Sequence, residues 1–245
     1  MPDSGTNNNY ALEWDKEGER FYETGVSNGV LYTKNDGDDK NTYPNLGEAW
    51  NGLTNASDAP SGGEPQPIWA DNMKYLSLPG NEEFGLNIEA YQAPKSFSRC
   101  DGSLMVAPGV YLGSQAREKF GFAYKTKVGN DAVGDELGYK IHLAWNCLAA
   151  PVEKSYPTQT DSVEAISMSW SCSTTPIKIT KKYGGKTIKP LSHLVIDSRD
   201  FQTDEEKAKL TLLEDTLFGS SGADAKKPHL PSPEEVINMF ATPDA

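Results

Sequence analysis

Between Asp161 and Pro176 the apolar side chains Ile166, Met168, Trp170 and Cys172 fall on every second residue, and Ser167, Ser169, Ser171 and Ser173 fill the gaps. Successive side chains of a strand point to opposite faces, so this spacing predicts a strand with one buried face and one small, polar face. Pro176 donates no N–H and should end regular pairing. Two further stretches alternate in the same way. Phe120, Phe122 and Tyr124 alternate with Gly121, Ala123 and Lys125; Tyr139, Ile141, Leu143 and Trp145 alternate with Lys140, His142, Ala144 and Asn146. The Gly/Asn/Asp-rich Val128–Gly138 between them predicts a hairpin with a long acidic loop. Together these strands predict an antiparallel sheet with one wet face.

Weaker patterns fill the rest of the chain. Val30–Tyr32 and Gly47–Ala56 are strand candidates, and Ser57–Pro67 is a Gly/Pro-rich loop long enough to reach away from the body. Ile68–Leu78, a turn at Pro79–Glu82 and Phe84–Tyr91 predict a second hairpin. Phe97–Gly102 is a turn region, and a short helix could precede Phe120. Gly184-Gly185 marks a hairpin tip within the basic Lys178–Lys189, and Leu191–Asp197 is a strand. Two capping boxes, Thr203 with Glu206 and Ser232 with Glu235, predict helices that close the sequence. Pro233 stands at the first position of the second helix, and Gly219 stops the first. The organisation expected is a flexible arm over 1–9, a β domain over 10–200 and a helical extension over 201–245. The fold class is mainly β: an antiparallel sandwich or barrel with a few short helices, two of them C-terminal.

Composition narrows the function. The 245 residues can enclose a sizeable core. A formal net charge of −12 argues against a free nucleic-acid binder, whose affinity comes from neutralising phosphates. Cys100, Cys147 and Cys172 have no spacing of a disulfide framework or zinc site, and Cys147 and Cys172 read as buried free thiols. The opening MPDSGTNNNY has no apolar core of a signal peptide, and no apolar run is long enough to span a bilayer. A soluble protein made in a reducing cytoplasm is expected.

Candidate chemistry is sparse. Asp36-x-Asp38 invites a calcium reading, but Lys40 stands where the next oxygen ligand belongs, which favours a solvated loop. His142, His193 and His229 lack the partners of a triad or metal site. Glu82, Glu83 and Glu89 could pair as in glycosidases, although acids on an acidic surface more often solvate it. Of Trp14, Trp50, Trp69, Trp145 and Trp170, the last two are core residues by their alternation. No enzyme, metal or cofactor is expected.

Ordered segments together resemble the major tail protein, or tail tube protein, of long non-contractile-tailed bacteriophages. They are ALEWDKEGERFYETGVSNGVLY (11–32), AWNGLT (49–54), WADNMKYLSL (69–78), EEFGLNIEAY (82–91), DGSLMVAPGVYLGSQAREKFGFAYKTKVGND (101–131), the stretch from GYKIHLAWN through EKSY and DSVEAISMSW to TTP (138–176), and SHLVIDS (192–198). The resemblance implies a β-sandwich-like subunit whose hexameric rings stack into a hollow tube. Strands of each subunit would join one inner barrel. The implied partners are further copies, the tape-measure protein, tail terminator and distal tail proteins, and genomic DNA passing through without sequence-specific binding. No membrane is involved, and the implied location is the virion tail, assembled in the host cytoplasm.

Physical reasoning fits this in three ways. Ring closure covers sheet edges. Stacking of rings is an open, heterologous contact that grows a filament. Six copies at −12 each would give a strongly anionic ring, which does not grip phosphates. On this reading the Ser57–Pro67 loop (Asp58, Glu64) and the Val128–Gly138 loop (Asp131, Asp135, Glu136) make ring-to-ring or lumenal-rim contacts. Ser167, Ser169, Ser171 and Ser173 face a neighbouring subunit or the lumen, and the N-terminal arm and C-terminal helices dock on adjacent subunits. The rival is a carbohydrate- or receptor-binding β-sandwich of a virion or cell surface, reading sugar through Trp14 or Trp69.

Overall fold

The strand β12 (Gly134–Ala149) is shared by two halves of a bent sheet in the computed structural model, which describes residues 12–34, 43–159, 161, 165–222 and 224–241. The other main strands are β1 (Phe21–Tyr32), β2 (Glu48–Trp50), β3 (Leu53–Asp58), β8 (Gly85–Ala90), β11 (Phe120–Asn130), β13 (Met168–Ser173) and β16 (His193–Asp197). They run in the order β2-β1-β11-β12-β13-β8-β3, all antiparallel, with β16 also on β12. One edge of β12 carries β11. The other carries β16 opposite Lys140–Ala144 and then β13 opposite Leu148 and Ala149. The two ends of the path, β2 and β3, are joined by Asn51-Gly52 alone, and a Cβ on Gly29 of β1 would meet the Leu53 side chain at 2.1 Å. The path therefore curls back on itself into a flattened barrel, or sandwich.

A bulge in β12 makes the bend. Phe120 lies opposite Cys147 while Phe122 lies opposite Ala144, so three residues face two. Asn146, at φ 53°, is the extra residue. It is held on three sides: Tyr43 Oη donates to its Oδ1 at 2.8 Å, its N–H donates to Tyr43 Oη at 3.0 Å, and its Nδ2 donates to the Thr175 carbonyl at 3.2 Å. The bulge resets the alternation. Ile141, Leu143 and Trp145 point out of the barrel, whereas Ala144, Cys147 and Ala149 point in.

Two cores result. The inner one joins Leu31, Trp50, Leu86, Ile88, Phe97, Phe120, Phe122, Cys147, Trp170 and Cys172, with Trp170 edge-on to Trp50 and Phe97. The outer one lies between the β1-β11-β12-β16 face and the helices α1 (Asp204–Phe218) and α2 (Pro233–Phe240), through Tyr32, Ile141, Leu143, Trp145, Leu213, Leu217, Leu230 and Val236. Both helices start at the expected capping boxes. Gly121 sits where a Cβ would meet Leu230 at 2.4 Å, so the segment between the helices can lie flat on β11.

The mainly antiparallel β fold with two capped C-terminal helices is thus as expected, as are the buried free thiols and the Gly184-Gly185 tip, here between β14 (Lys182–Tyr183) and β15 (Lys186–Thr187). Five details differ. The wet face is only partial: α1 and α2 pack over the outer face of β1, β11, β12 and β16, while the outer face of β13 stays exposed. The strand predicted across Asp161–Pro176 is β13 alone, with Trp170 and Cys172 buried but Ile166 exposed. Val128–Gly138 is no long loop, since β11 and β12 pair to Asn130↔Gly134. The Asn130 side chain accepts from the N–H groups of Ala132 and Val133 and closes that turn.

Ile68–Leu78 does not pair with Phe84–Tyr91. It folds on itself as β5 (Gln66–Ala70) and β6 (Met73–Leu78), while β8 pairs with β3 and β13. Asp71 and Asn72, both at positive φ, form a two-residue turn of the primed hairpin class. No helix precedes Phe120: a 3-10 turn at Lys95–Arg99 leads into a hairpin of β9 (Leu104–Ala107) and β10 (Val110–Leu112). Residues 1–9 and the Asp36-x-Asp38 pair lie outside the described residues.

Candidate functional site

Two hairpins leave this barrel with their apolar residues in solvent. The first runs between β3 and β8. Its base is β4 (Ser61–Gly62) on β7 (Glu82–Glu83), and its outer part is β5 on β6. No residue from 57 to 84 is buried. Trp69 is 67% exposed and Tyr75 68%, and Ile68, Met73 and Leu78 are exposed beside them. The second is β9–β10, where Leu104, Met105, Val106, Val110, Tyr111 and Leu112 are all exposed. From Gly102 to Ala116 there is no charged residue in a chain that is 24% charged. Single exposed apolar residues are ordinary, but contiguous exposed apolar hairpins mark an interaction surface.

The residues singled out by sequence are dispersed over three places. Ser169, Ser171 and Ser173 are exposed on the outer face of β13, and Ser167 is exposed just before it. The edge of that strand is open before Ser171, where pairing with β12 has not yet begun. Small side chains beside an open edge let another backbone approach.

Asp131, Asp135 and Glu136 cluster at the β11–β12 turn, where local pairs engage two of them. Asp131 accepts from the Gly18 N–H at 3.0 Å and meets Arg20 at 3.5 Å, which ties the segment before β1 to the turn. Asp135 meets Lys127 at 2.9 Å, and this pairing holds its carboxyl below the usual range. Asp58 ends β3, and Glu64 lines a shallow concavity with Gly62, Gly63 and Asn81 at the base of the first arm. The acids proposed for glycosidase chemistry, Glu82, Glu83 and Glu89, follow one another along β7 and β8 rather than facing each other. Among the described residues no group of three or more His, Cys, Asp or Glu could hold a metal ion, and no helix is long and apolar enough to cross a membrane.

Sequence reasoning missed a column of rings in the barrel wall. Tyr124 stacks on His142 at 4.5 Å, His142 on His193 at 5.9 Å, and His193 on Phe84 at 4.2 Å, with interplanar angles of 3°, 12° and 9°. Each ring alone looked like one position in a strand; only the β12–β16 register brings the two histidines together. Burial depresses both imidazole pKa values. Glu23, 3.6 Å from His142 Nε2, and Asp58 pull the other way without prevailing. Burial pushes the Glu23 carboxyl up, but hydrogen bonds from Lys140 and Thr126 hold it below its usual range.

These directions fix the pH dependence. A histidine whose folded pKa lies below 6.5 is neutral in both states above that pH. As pH falls below it, the unfolded chain takes up the proton first and stability drops. Glu23 adds a further loss lower still, as pH falls from its unfolded value of 4.5 through its lower folded pKa. Denaturant unfolding should therefore give a lower midpoint at pH 5.5 than at pH 7.5, and His142→Phe should flatten that difference. An equal pH dependence in the variant would exclude His142 as a source.

Comparison with protein-family models and with curated proteins found no match for this chain.

Proposed function

We propose that the chain is a structural subunit of a phage tail tube, in which copies close into hexameric rings and the rings stack. The observation that supports this best is the pair of exposed apolar hairpins, the second without a charge from Gly102 to Ala116, standing out from a domain with two packed cores. Such surface in a strongly anionic chain is costly unless another macromolecule covers it. The ordered resemblance to tail tube proteins names that macromolecule as further copies of the chain. On this reading the β5–β6 arm makes ring-to-ring contacts, and the serine face of β13 meets a neighbour or the lumen. The tube would hold the tape-measure protein before passing DNA, end at terminator and distal tail proteins, and do no catalysis.

Electron microscopy of the purified protein over a concentration series, with native mass spectrometry, tests this directly. Rings or tubes with six-fold end views are expected. Joining Glu64 to Asn81 through two glycines, which deletes the β5–β6 arm, should leave the unfolding temperature close to wild type and abolish stacked assemblies. A protein that stays monomeric and binds glycan through Trp14 or Trp69 would replace this reading with the receptor-binding one.

A further inference from the structure

The two hairpins leave the barrel at opposite ends of one strand. The first arm enters β8 at Gly85, which pairs with Ser173 of β13. The second follows the Ala90 end, which pairs with Met168, through the turn at Lys95–Arg99. A cleft of about 380 Å³ lies at that second end, lined by Lys95, Phe97, Tyr111 of β10, Lys154, Met168 and Trp170. Trp170 is 1% exposed, and its indole N–H has no hydrogen-bond partner.

We infer that the tip of the β5–β6 arm of one copy seats in the cleft beneath the β9–β10 hairpin of the next copy, head to tail. This rests on the tube reading and names the seat of the arm. The two surfaces match in chemistry. The tip offers Trp69, Met73 and Tyr75 around a two-residue turn, and the seat offers Met168, Tyr111 and the exposed β10 face. Charges match as well. Asp71 at the tip and Lys95 at the rim form no ion pair among the described residues, while Lys74 at the tip would approach Asp101, now held by Arg117 and Lys154. Arm and seat lie at opposite ends of β8, and the chain's own arm does not line its cleft. Each copy instead offers an arm at one end and a seat at the other, and such a contact propagates rather than closing as a pair.

Cross-linking between two otherwise wild-type chains tests this. One carries Met73→Cys and the other Ser103→Cys in the cleft wall, and a short bis-maleimide joins them. The native thiols do not compete: burial pushes Cys100 and Cys172 up to about 12 and Cys147 well above its ordinary value. The mixed dimer should form about tenfold more than with Leu212→Cys on the exposed side of α1, since docking raises the effective concentration of the two thiols. Lys95→Glu in the second chain should reduce the yield severalfold. A yield no greater than the α1 control overturns the docking. Rings seen without this cross-link would overturn the seat but leave the tube reading standing; the cross-link without rings would do the reverse.

Discussion

A chain ending at Gln202 is expected to collect in the insoluble fraction. Removing α1 and α2 strips the cover from Val30, Tyr32, Ile141, Leu143, Trp145 and Ile196, all now buried on the outer face of the barrel. Each large apolar side chain contributes about 1.5–3 kcal/mol on burial. Six of them rival the roughly 5–15 kcal/mol that holds a whole domain folded. The loss is also polar: Tyr32 Oη donates to the Leu217 carbonyl at 2.7 Å, a buried hydrogen bond that goes with the helix. Expression followed by sedimentation reads the outcome. A soluble truncated chain with a wild-type unfolding temperature would show that the helices are an accessory, not half of the outer core.

The legibility of this arrangement was uneven, for physical reasons. Capping boxes are local: Thr203 with Glu206 and Ser232 with Glu235 satisfy amides within one turn, so both helix starts could be read directly. Alternation is also local, and it found β11, β12 and the core of β13. It could not say what covered the second face, because small Ala123 and Gly121 look the same whether water or a packed segment lies above them. The Asn146 bulge was invisible because a single residue at positive φ leaves no periodic trace. The Asp71-Asn72 turn did carry a signal, a polar pair flanked by strand-forming residues, yet the stronger Pro79-Gly80 punctuation drew the hairpin boundary to the wrong place.

The candidate surfaces divide in the same way. The exposure of Ser167, Ser169, Ser171 and Ser173 followed from period two. The β9–β10 hairpin did not, because an apolar stretch left half exposed reads as core or is left unassigned. Its charge-free composition from Gly102 to Ala116 is the signal that could have marked it. The ring column and the cleft at Trp170 are long-range products of strand register, and no window of sequence contains them.

Trp145→Ala should lower the unfolding temperature by about 10 °C or more, where Trp69→Ala should leave it nearly unchanged. Trp145 is fully buried on the outer face of β12, one residue before the bulge. Its indole N–H donates to the Pro231 carbonyl at 2.8 Å, just before the cap of α2, and its backbone N–H donates to the Ser192 carbonyl at 2.9 Å. Truncating a buried tryptophan costs roughly 3–5 kcal/mol, which includes the cavity left behind. Trp145→Phe separates the two contributions. It keeps most of the packing but leaves the Pro231 carbonyl without its donor, for about 1–3 kcal/mol. Both variants should speed proteolytic cleavage between α1 and α2, since the indole anchors that linker to the sheet. Trp69 is exposed on an arm that touches neither core, so its loss should appear in assembly and not in stability. Equal melting temperatures for Trp145→Ala and Trp69→Ala would mean that the outer core does not hold the C-terminal segment in place.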